Sequence, residues 1–164
     1  MTVLTVSLED FRAALAAQGL GVRHVAVRCP ICDTVQTPQD LIDASAGRDY
    51  ASVRRYFAYS CIGRWTGAGN HRRGWPPGRG CMWTLGGTLP IHTYEVVTPS
   101  GDVYPTFEPA TPAEAQAHHA RRQKTGSGLV LPAKRLAHAL PRVSPHTRSP
   151  APPALATLPA SPRE

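Results

Sequence analysis

The chain contains almost no lysine and no long apolar run. Only Lys124 and Lys134 of its 18 basic residues are lysines, a bias that fits a GC-rich coding sequence and need not be functional. No apolar stretch approaches the roughly 20 residues that a membrane-spanning helix requires, and the beginning carries Glu9 and Asp10 where a signal peptide would be apolar. We therefore expect a cytoplasmic protein without a membrane segment.

Acidic residues are absent from Tyr50 to Tyr94, although the net charge of +7 arises mainly elsewhere. Residues 1–110 hold 10 Arg and 9 acidic residues, whereas residues 111–164 hold 8 Lys or Arg and 2 acidic residues. The basic character thus belongs chiefly to the C-terminal part. The overall charge by itself does not indicate a nucleic-acid-binding domain.

Signatures of common enzyme sites are also missing. Gly69 and Gly74 have the spacing of a phosphate-binding loop, but Trp75 follows them instead of Lys-Ser/Thr. Asn70-His71 resembles part of a metal-dependent nuclease motif, yet no adjacent acidic or histidine partner supports it. We predict that the protein is not an enzyme; the alternative is a turnover that depends on His71.

The most informative feature is the cysteine pair Cys29-Pro30-Ile31-Cys32. Two intervening residues let a tight turn direct both sulfurs at one metal ion, while backbone N–H groups donate hydrogen bonds to the thiolates. Asp33 follows where a left-handed residue is usual, and Asp tolerates that conformation better than most residues. In a reducing compartment, such a pair binds metal more often than it forms a disulfide.

Two further cysteines stand alone: 28 residues separate Cys61 from Cys32, and 19 residues separate Cys81 from Cys61. Gly63 and Gly80 beside them would let the backbone turn closely around a metal ion. We predict one structural Zn²⁺ with four thiolate ligands: Cys29, Cys32, Cys61 and Cys81. The alternatives are buried structural thiols, a redox pair, or His71 or His92 in place of one cysteine. Four thiolates would close the coordination shell, which argues against a catalytic zinc.

The runs CPIC, AYSCIGRW and GRGCMWTLGG resemble a family of small uncharacterised phage and prophage proteins. Its members share a Cys-Pro-x-Cys pair, a Ser-Cys-x-Gly-Arg segment and a late Gly-Cys followed by an aromatic residue and Gly-Gly. The resemblance covers about residues 27–97, and Asp33 stands where Gly is usual. It implies a phage or prophage origin and a metal site at the four cysteines, and it implies no activity.

The acid-free stretch interleaves arginines with aromatic residues. Guanidinium groups can contact phosphates while exposed aromatic rings stack on unpaired bases. The residues predicted to bind nucleic acid are Arg64, Arg72, Arg73, Trp75 and Arg79. In the alternative interpretation, the arginines offset the negative zinc–thiolate centre, Arg64 orients the third ligand, and the aromatic rings fill a small core.

Local signals predict short helices and a hairpin. Helix caps are expected at Ser7, Thr37, Asp49 and Thr111, a short strand at residues 24–28, and a β-hairpin at residues 91–107. We therefore predict a small α+β, zinc-ribbon-like domain over residues 1–125, in which zinc supplies folding energy that a loop-rich core lacks.

Residues 126–164 are predicted to form a disordered, basic, Pro-rich tail. Gly126-Ser127-Gly128 is typical of a hinge, and residues from Thr111 onward hold 9 of the 17 prolines. Residues 133–140 could form a short amphipathic helix that docks on a partner. This favours a second hypothesis, a protein-binding adaptor or modulator of a host complex, beside that of a nucleic-acid-binding accessory protein.

Overall fold

Short strands and helices alternate in a mixed α+β arrangement. The computed structural model describes residues 2–76, 78–87 and 91–125. In chain order the elements are β1 (Leu4–Ser7), α1 (Leu8–Ala16), β2 (Val27–Arg28), β3 (Val35–Gln36), α2 (Pro38–Asp43), α3 (Tyr50–Val53), α4 (Gly63–Thr66), β4 (Tyr94–Val97), β5 (Val103–Pro105), β6 (Glu108–Pro109) and α5 (Pro112–Lys124). None of the helices in these ranges is long and apolar enough to cross a membrane. The predicted tail and its short helix lie outside the described residues, and the domain boundary at residue 125 stays a prediction.

The first sheet joins the N-terminal strand to the predicted hairpin, in the order β1-β4-β5. Strands β4 and β5 pair antiparallel, with Val96 opposite Tyr104, which confirms the hairpin. Strand β1, by contrast, lies parallel to β4, with Leu4 opposite Tyr94. The sequence did not predict this long-range pairing.

The second sheet is small and surrounds the cysteine pair, in the order β3-β2-β6. Val27 lies opposite Gln36 in β3 and opposite Pro109 in β6, and both pairings are antiparallel. The strand predicted at residues 24–28 is thus shorter than expected, because only Val27 and Arg28 pair with neighbouring strands. The hairpin of β2 and β3 carries the first two cysteines in its turn.

The helices begin at the predicted caps. Ser7 accepts a hydrogen bond from the Asp10 N–H at the start of α1. Thr37, Asp49 and Thr111 form reciprocal capping boxes at the starts of α2, α3 and α5. Helix α3 ends at Val53, and a series of turns leads on to Ala58, whose φ is 60°.

The main core contains the four cysteines. Phe11, Leu15, Val27, Val96 and Phe107 are among the buried side chains that pack into one cluster with them. Helix α1 and both sheets contribute to this cluster, so the site lies inside the domain rather than on a loop at its edge. Apolar packing and the cysteine cluster therefore stabilise the same part of the molecule.

Helix α5 is attached to α2 by a buried carboxylate. Asp40 accepts hydrogen bonds from His118 Nε2 (2.8 Å) and from Arg122, which also pairs with Asp43. Burial raises the pKa of Asp40, but the hydrogen bond and charge of His118 and the charge of Arg122 lower it by more. The pKa of Asp40 therefore lies below its usual value. At its other end, α5 contacts β2 through the Arg28–Glu114 ion pair.

Candidate metal centre

The β2–β3 turn positions the first two sulfurs. The Cys29 N–H donates to the Thr34 carbonyl oxygen (3.0 Å), and the Asp33 N–H donates to the Cys29 carbonyl oxygen (3.0 Å). Asp33 has φ 53°, in the left-handed region, as its place after the pair predicted. These bonds fold the turn so that Cys29 and Cys32 project their sulfurs to one side of it.

Two crossing segments bring in the other sulfurs. The Cys61 N–H donates to the Trp83 carbonyl oxygen and the Leu85 N–H donates to the Tyr59 carbonyl oxygen, both at 2.9 Å. A short antiparallel bridge between Ser60 and Thr84 lies between these bonds. The chain that leads into Cys61 and the chain that follows Cys81 are therefore held side by side.

The four sulfurs form one compact, buried set, as the sequence predicted. All four Sγ atoms lie within 4.8 Å of one another. The Cys29–Cys81 and Cys32–Cys61 sulfur pairs are each 3.7 Å apart, far beyond the roughly 2.05 Å of a disulfide bond. Among the described residues, the set contains no histidine nitrogen: His92 instead contacts Glu95 at 2.6 Å.

Two glycines allow the close approach of the segments. A Cβ atom on Gly63 would lie 2.2 Å from the backbone nitrogen of Cys81, a distance that no side chain can occupy. Gly80 has φ +80°, and its Cβ would lie 2.9 Å from the Gly63 Cα. The backbones before Cys81 and after Cys61 thus touch directly, which explains why glycine occupies both positions.

Hydrogen bonds from the surroundings favour ionised sulfur. The Cys81 N–H lies 3.3 Å from the Cys61 sulfur, to which it donates. The Thr34 hydroxyl oxygen accepts from the Gly80 N–H (3.0 Å) and lies 3.1 Å from the Cys32 sulfur. With its acceptor side used by Gly80, this hydroxyl can donate to a Cys32 thiolate.

The sulfurs do not ionise independently. Hydrogen bonding with Cys32 raises the pKa of Cys29, and the same interaction lowers the pKa of Cys32. Because adjacent thiolates repel one another in a buried site, the four cannot all be charged unless a cation lies among them. The arrangement has the chemistry of a site for a soft or borderline divalent metal ion.

Gln36 holds the segment around Cys61 from both sides, a role that the sequence did not predict. Its Nε2 donates to the Ser60 carbonyl oxygen (2.8 Å), while its Oε1 accepts from the Ile62 N–H (2.7 Å). Ser60 and Ile62 flank Cys61, and the Gln36 side chain is fully buried. A glutamine that follows a cysteine pair by four positions is a weak signal, because polar residues in short strands usually face solvent.

A family comparison covers this whole region. A family model described as VVA0879-like matches residues 7–110, which is more than half of the chain and contains all four cysteines. The chain belongs to the VVA0879-like family. No curated protein and no solved structure matches it. The resemblance seen over residues 27–97 falls inside the VVA0879-like match.

The loop of this VVA0879-like chain before Cys81 assembles three of the five residues predicted to bind nucleic acid. The Arg79 guanidinium lies 4.0 Å from the centre of the Trp75 ring, and that of Arg72 lies 5.8 Å from it. Arg73 is exposed beside them. Both distances are within the range of cation–π attraction, so the loop presents an aromatic face bounded by positive charge.

Arg64 has a different setting. It belongs to α4, and its guanidinium donates to the Thr84 hydroxyl oxygen at 2.7 Å. Thr84 in turn contacts the Ser60 hydroxyl (3.1 Å) next to Cys61. This contact fits the alternative in which Arg64 supports the third ligand rather than a bound phosphate.

The other aromatic residues of the acid-free stretch are used in packing. Tyr59 and Trp83 pack against the main core, and Tyr56 lies against Trp65 with ring centres 5.0 Å apart. Tyr56 also has an arginine beside it, with the Arg55 guanidinium 4.8 Å from its ring centre, whereas Trp75 has two, Arg72 and Arg79. The packing interpretation holds for these four aromatic residues, while Trp75 remains the candidate for a contact with a ligand.

Proposed function

We propose that the four cysteines bind one structural Zn²⁺ ion in a zinc-ribbon-like arrangement. Zinc–sulfur bonds of about 2.3 Å in a regular tetrahedron place the sulfurs about 3.8 Å apart. The two pairs at 3.7 Å agree with this spacing. The knuckle-like β2–β3 turn supplies two ligands and the crossing segments supply two, which supports the comparison with a zinc ribbon.

In this proposal the metal has a structural and not a catalytic role. Four thiolates leave no position open for water or substrate, and the proposal includes no enzymatic activity. The strands β2, β3 and β6 have two residues each, which gives them little stability of their own. Zinc would join the β2–β3 turn to the two later segments and contribute directly to folding.

We propose that this zinc-bound domain binds nucleic acid as an accessory factor. The observation that carries the proposal is the proximity of the Arg72 and Arg79 guanidinium groups to the Trp75 ring. The surrounding sequence from Tyr50 to Tyr94 contains no acidic residue that would repel phosphates. Arg73 adds a further exposed positive charge on the same loop.

The experiment is a salt titration of oligonucleotide binding by fluorescence anisotropy, with the full zinc-loaded chain. In the double variant Arg72→Ala, Arg73→Ala, we expect weaker binding and a salt dependence of log K reduced by about 1.4, since each lost contact with a single strand removes about 0.7. Arg48→Ala, at an exposed arginine outside the acid-free stretch, serves as the matched control. The proposal would be rejected if the oligonucleotide affinity did not depend on salt and was the same in the double variant as in the parent.

The second candidate is a protein-binding adaptor or modulator of a host complex. Val3 and Leu4 are exposed at the free edge of the first sheet, where an extended partner segment could pair. This candidate would be favoured by a protein partner that stays bound after nuclease treatment and that no longer binds the Leu4→Asp variant. The partner should also persist in the Arg72→Ala, Arg73→Ala variant, in which nucleic-acid binding is expected to be weaker.

We further propose a phage or prophage origin and action in the cytoplasm of the host cell. The support is the cysteine pattern and the spacing of its three segments. A gene position among phage genes, together with recovery of zinc-loaded protein from the cytoplasmic fraction, would test both statements.

A further inference from the structure

A pocket of about 230 Å³ connects the arginine–tryptophan loop to the interior of the domain. Residues of α2, α4 and α5 line it, together with Thr34 and Ile62. Thr34 lies two residues after Cys32, and Ile62 directly follows Cys61. Arg79, whose guanidinium contacts the Trp75 ring, is also one of the lining residues. The pocket and the proposed nucleic-acid surface are therefore contiguous through a single side chain.

Most charged side chains that line this pocket form ion pairs with one another, and Arg79 is the exception. Asp40 and Asp43 both pair with Arg122, and Asp40 also accepts a hydrogen bond from His118. The exposed Arg79 has no carboxylate partner among the residues that the structure describes. The site thus combines an interior of paired charges with one available cation beside it.

Size and chemistry restrict the occupant. Drug-sized ligands occupy about 300–1,000 Å³, so this smaller pocket fits a single ring system. Ala44, Ile62 and Val35 supply apolar wall, and the paired carboxylates disfavour an anion in the interior. A flat, uncharged group that carries a phosphate next to it matches both the pocket and Arg79.

We infer that the pocket receives one unpaired base of a nucleic-acid strand, with an adjacent phosphate on Arg79 and a neighbouring base stacked on Trp75. This inference rests on the proposed function and specifies its ligand as single-stranded. A duplex keeps its bases paired and stacked, so only an unpaired base can enter a pocket of this kind. A free nucleotide has the same chemistry, and the test below distinguishes it from a strand as the ligand.

The test fills the pocket from two sides in the full zinc-loaded chain. The variants are Ala44→Leu, at the end of α2, and Thr66→Leu, at the end of α4. Both residues line the pocket, and neither Arg72 nor Arg73 does. The probes are a short oligothymidylate, a duplex of the same length, and thymidine monophosphate. Zinc content and circular dichroism identify which variants retain the fold, so one folded variant is sufficient.

We expect either folded variant to bind the oligothymidylate about tenfold more weakly, the loss of roughly one base contact, and to bind the duplex as the parent does. Unchanged oligothymidylate binding in a folded variant would overturn the pocket assignment while leaving the proposed function intact. If the parent bound neither the oligothymidylate nor the duplex, the proposed function would fail, and this inference with it. If thymidine monophosphate bound as tightly as the oligothymidylate, the assignment to a strand would be wrong.

Discussion

Replacement of Gln36 by leucine should loosen the metal centre without touching a ligand. The change removes two hydrogen bonds and leaves the Ser60 carbonyl and the Ile62 N–H, on either side of Cys61, without their partner. Each of the two buried groups left unpaired costs about 1–3 kcal/mol, so the free energy of unfolding should fall by about 2–6 kcal/mol. Because Cys61 would no longer be fixed, zinc release to an excess of chelator should accelerate about 10- to 100-fold, the usual effect of losing an outer-shell partner.

The fold offers a matched control in Gln18. It is also fully buried, and its amide bonds to the backbone of Ala26 and Ala110, neither of which is adjacent to a cysteine. Gln18→Leu should reduce the unfolding free energy at least as much as Gln36→Leu, as measured by urea denaturation, yet release zinc at nearly the parental rate. Equal release rates for two equally destabilised variants would refute the assignment of Gln36 to the metal centre.

Three further predictions concern the site and its support. Cys81→Ser should lower the zinc content measured by elemental analysis to well below one ion per chain, because the hydroxyl is a much poorer zinc ligand than a thiolate; full zinc content would contradict a four-cysteine site. Gly63→Ala should lower the unfolding free energy by about 3 kcal/mol or more, since its Cβ would meet the Cys81 backbone at 2.2 Å, whereas Gly87→Ala, with open space around it, should not. Asp40→Asn should destabilise the protein at neutral pH, because the pKa of Asp40 is lower in the native state than in the unfolded state. The contribution of the Asp40 carboxylate to stability is therefore present above the unfolded pKa and disappears as the pH falls through the native pKa. Urea denaturation across this pH range should show parent and variant converging in acid, and a constant difference would argue against the ion cluster.

The features that the sequence predicted correctly depend on neighbouring residues. The caps at Ser7, Thr37 and Thr111 are satisfied within three residues, and the conformation of Asp33 follows from the turn that contains it. The clustering of the four cysteines was also predicted, because a soft metal ion provides a physical reason for thiols at these spacings. The identity of that metal and the nucleic-acid surface stay proposals.

The features that the sequence did not predict depend on distant residues. The role of Gln36 requires Cys61 to lie next to β3, and the need for glycine at position 63 becomes clear only when the backbone of Cys81 is in place. Pairing of β1 with β4 likewise joins Leu4 to Tyr94, and β1 has no local signal that distinguishes it from the start of α1. Tertiary packing, rather than intrinsic propensity, decided these elements.

The parallel pairing of β1 with β4 has a consequence for synthesis on the ribosome. At about 5–20 residues per second, the partner of β1 emerges on the order of ten seconds after β1 itself. The fourth cysteine, at position 81, is made before β4 begins at Tyr94. All four cysteines are therefore made before the partner strand of β1, so the cysteine cluster can assemble first and the N-terminal strand can pair afterwards.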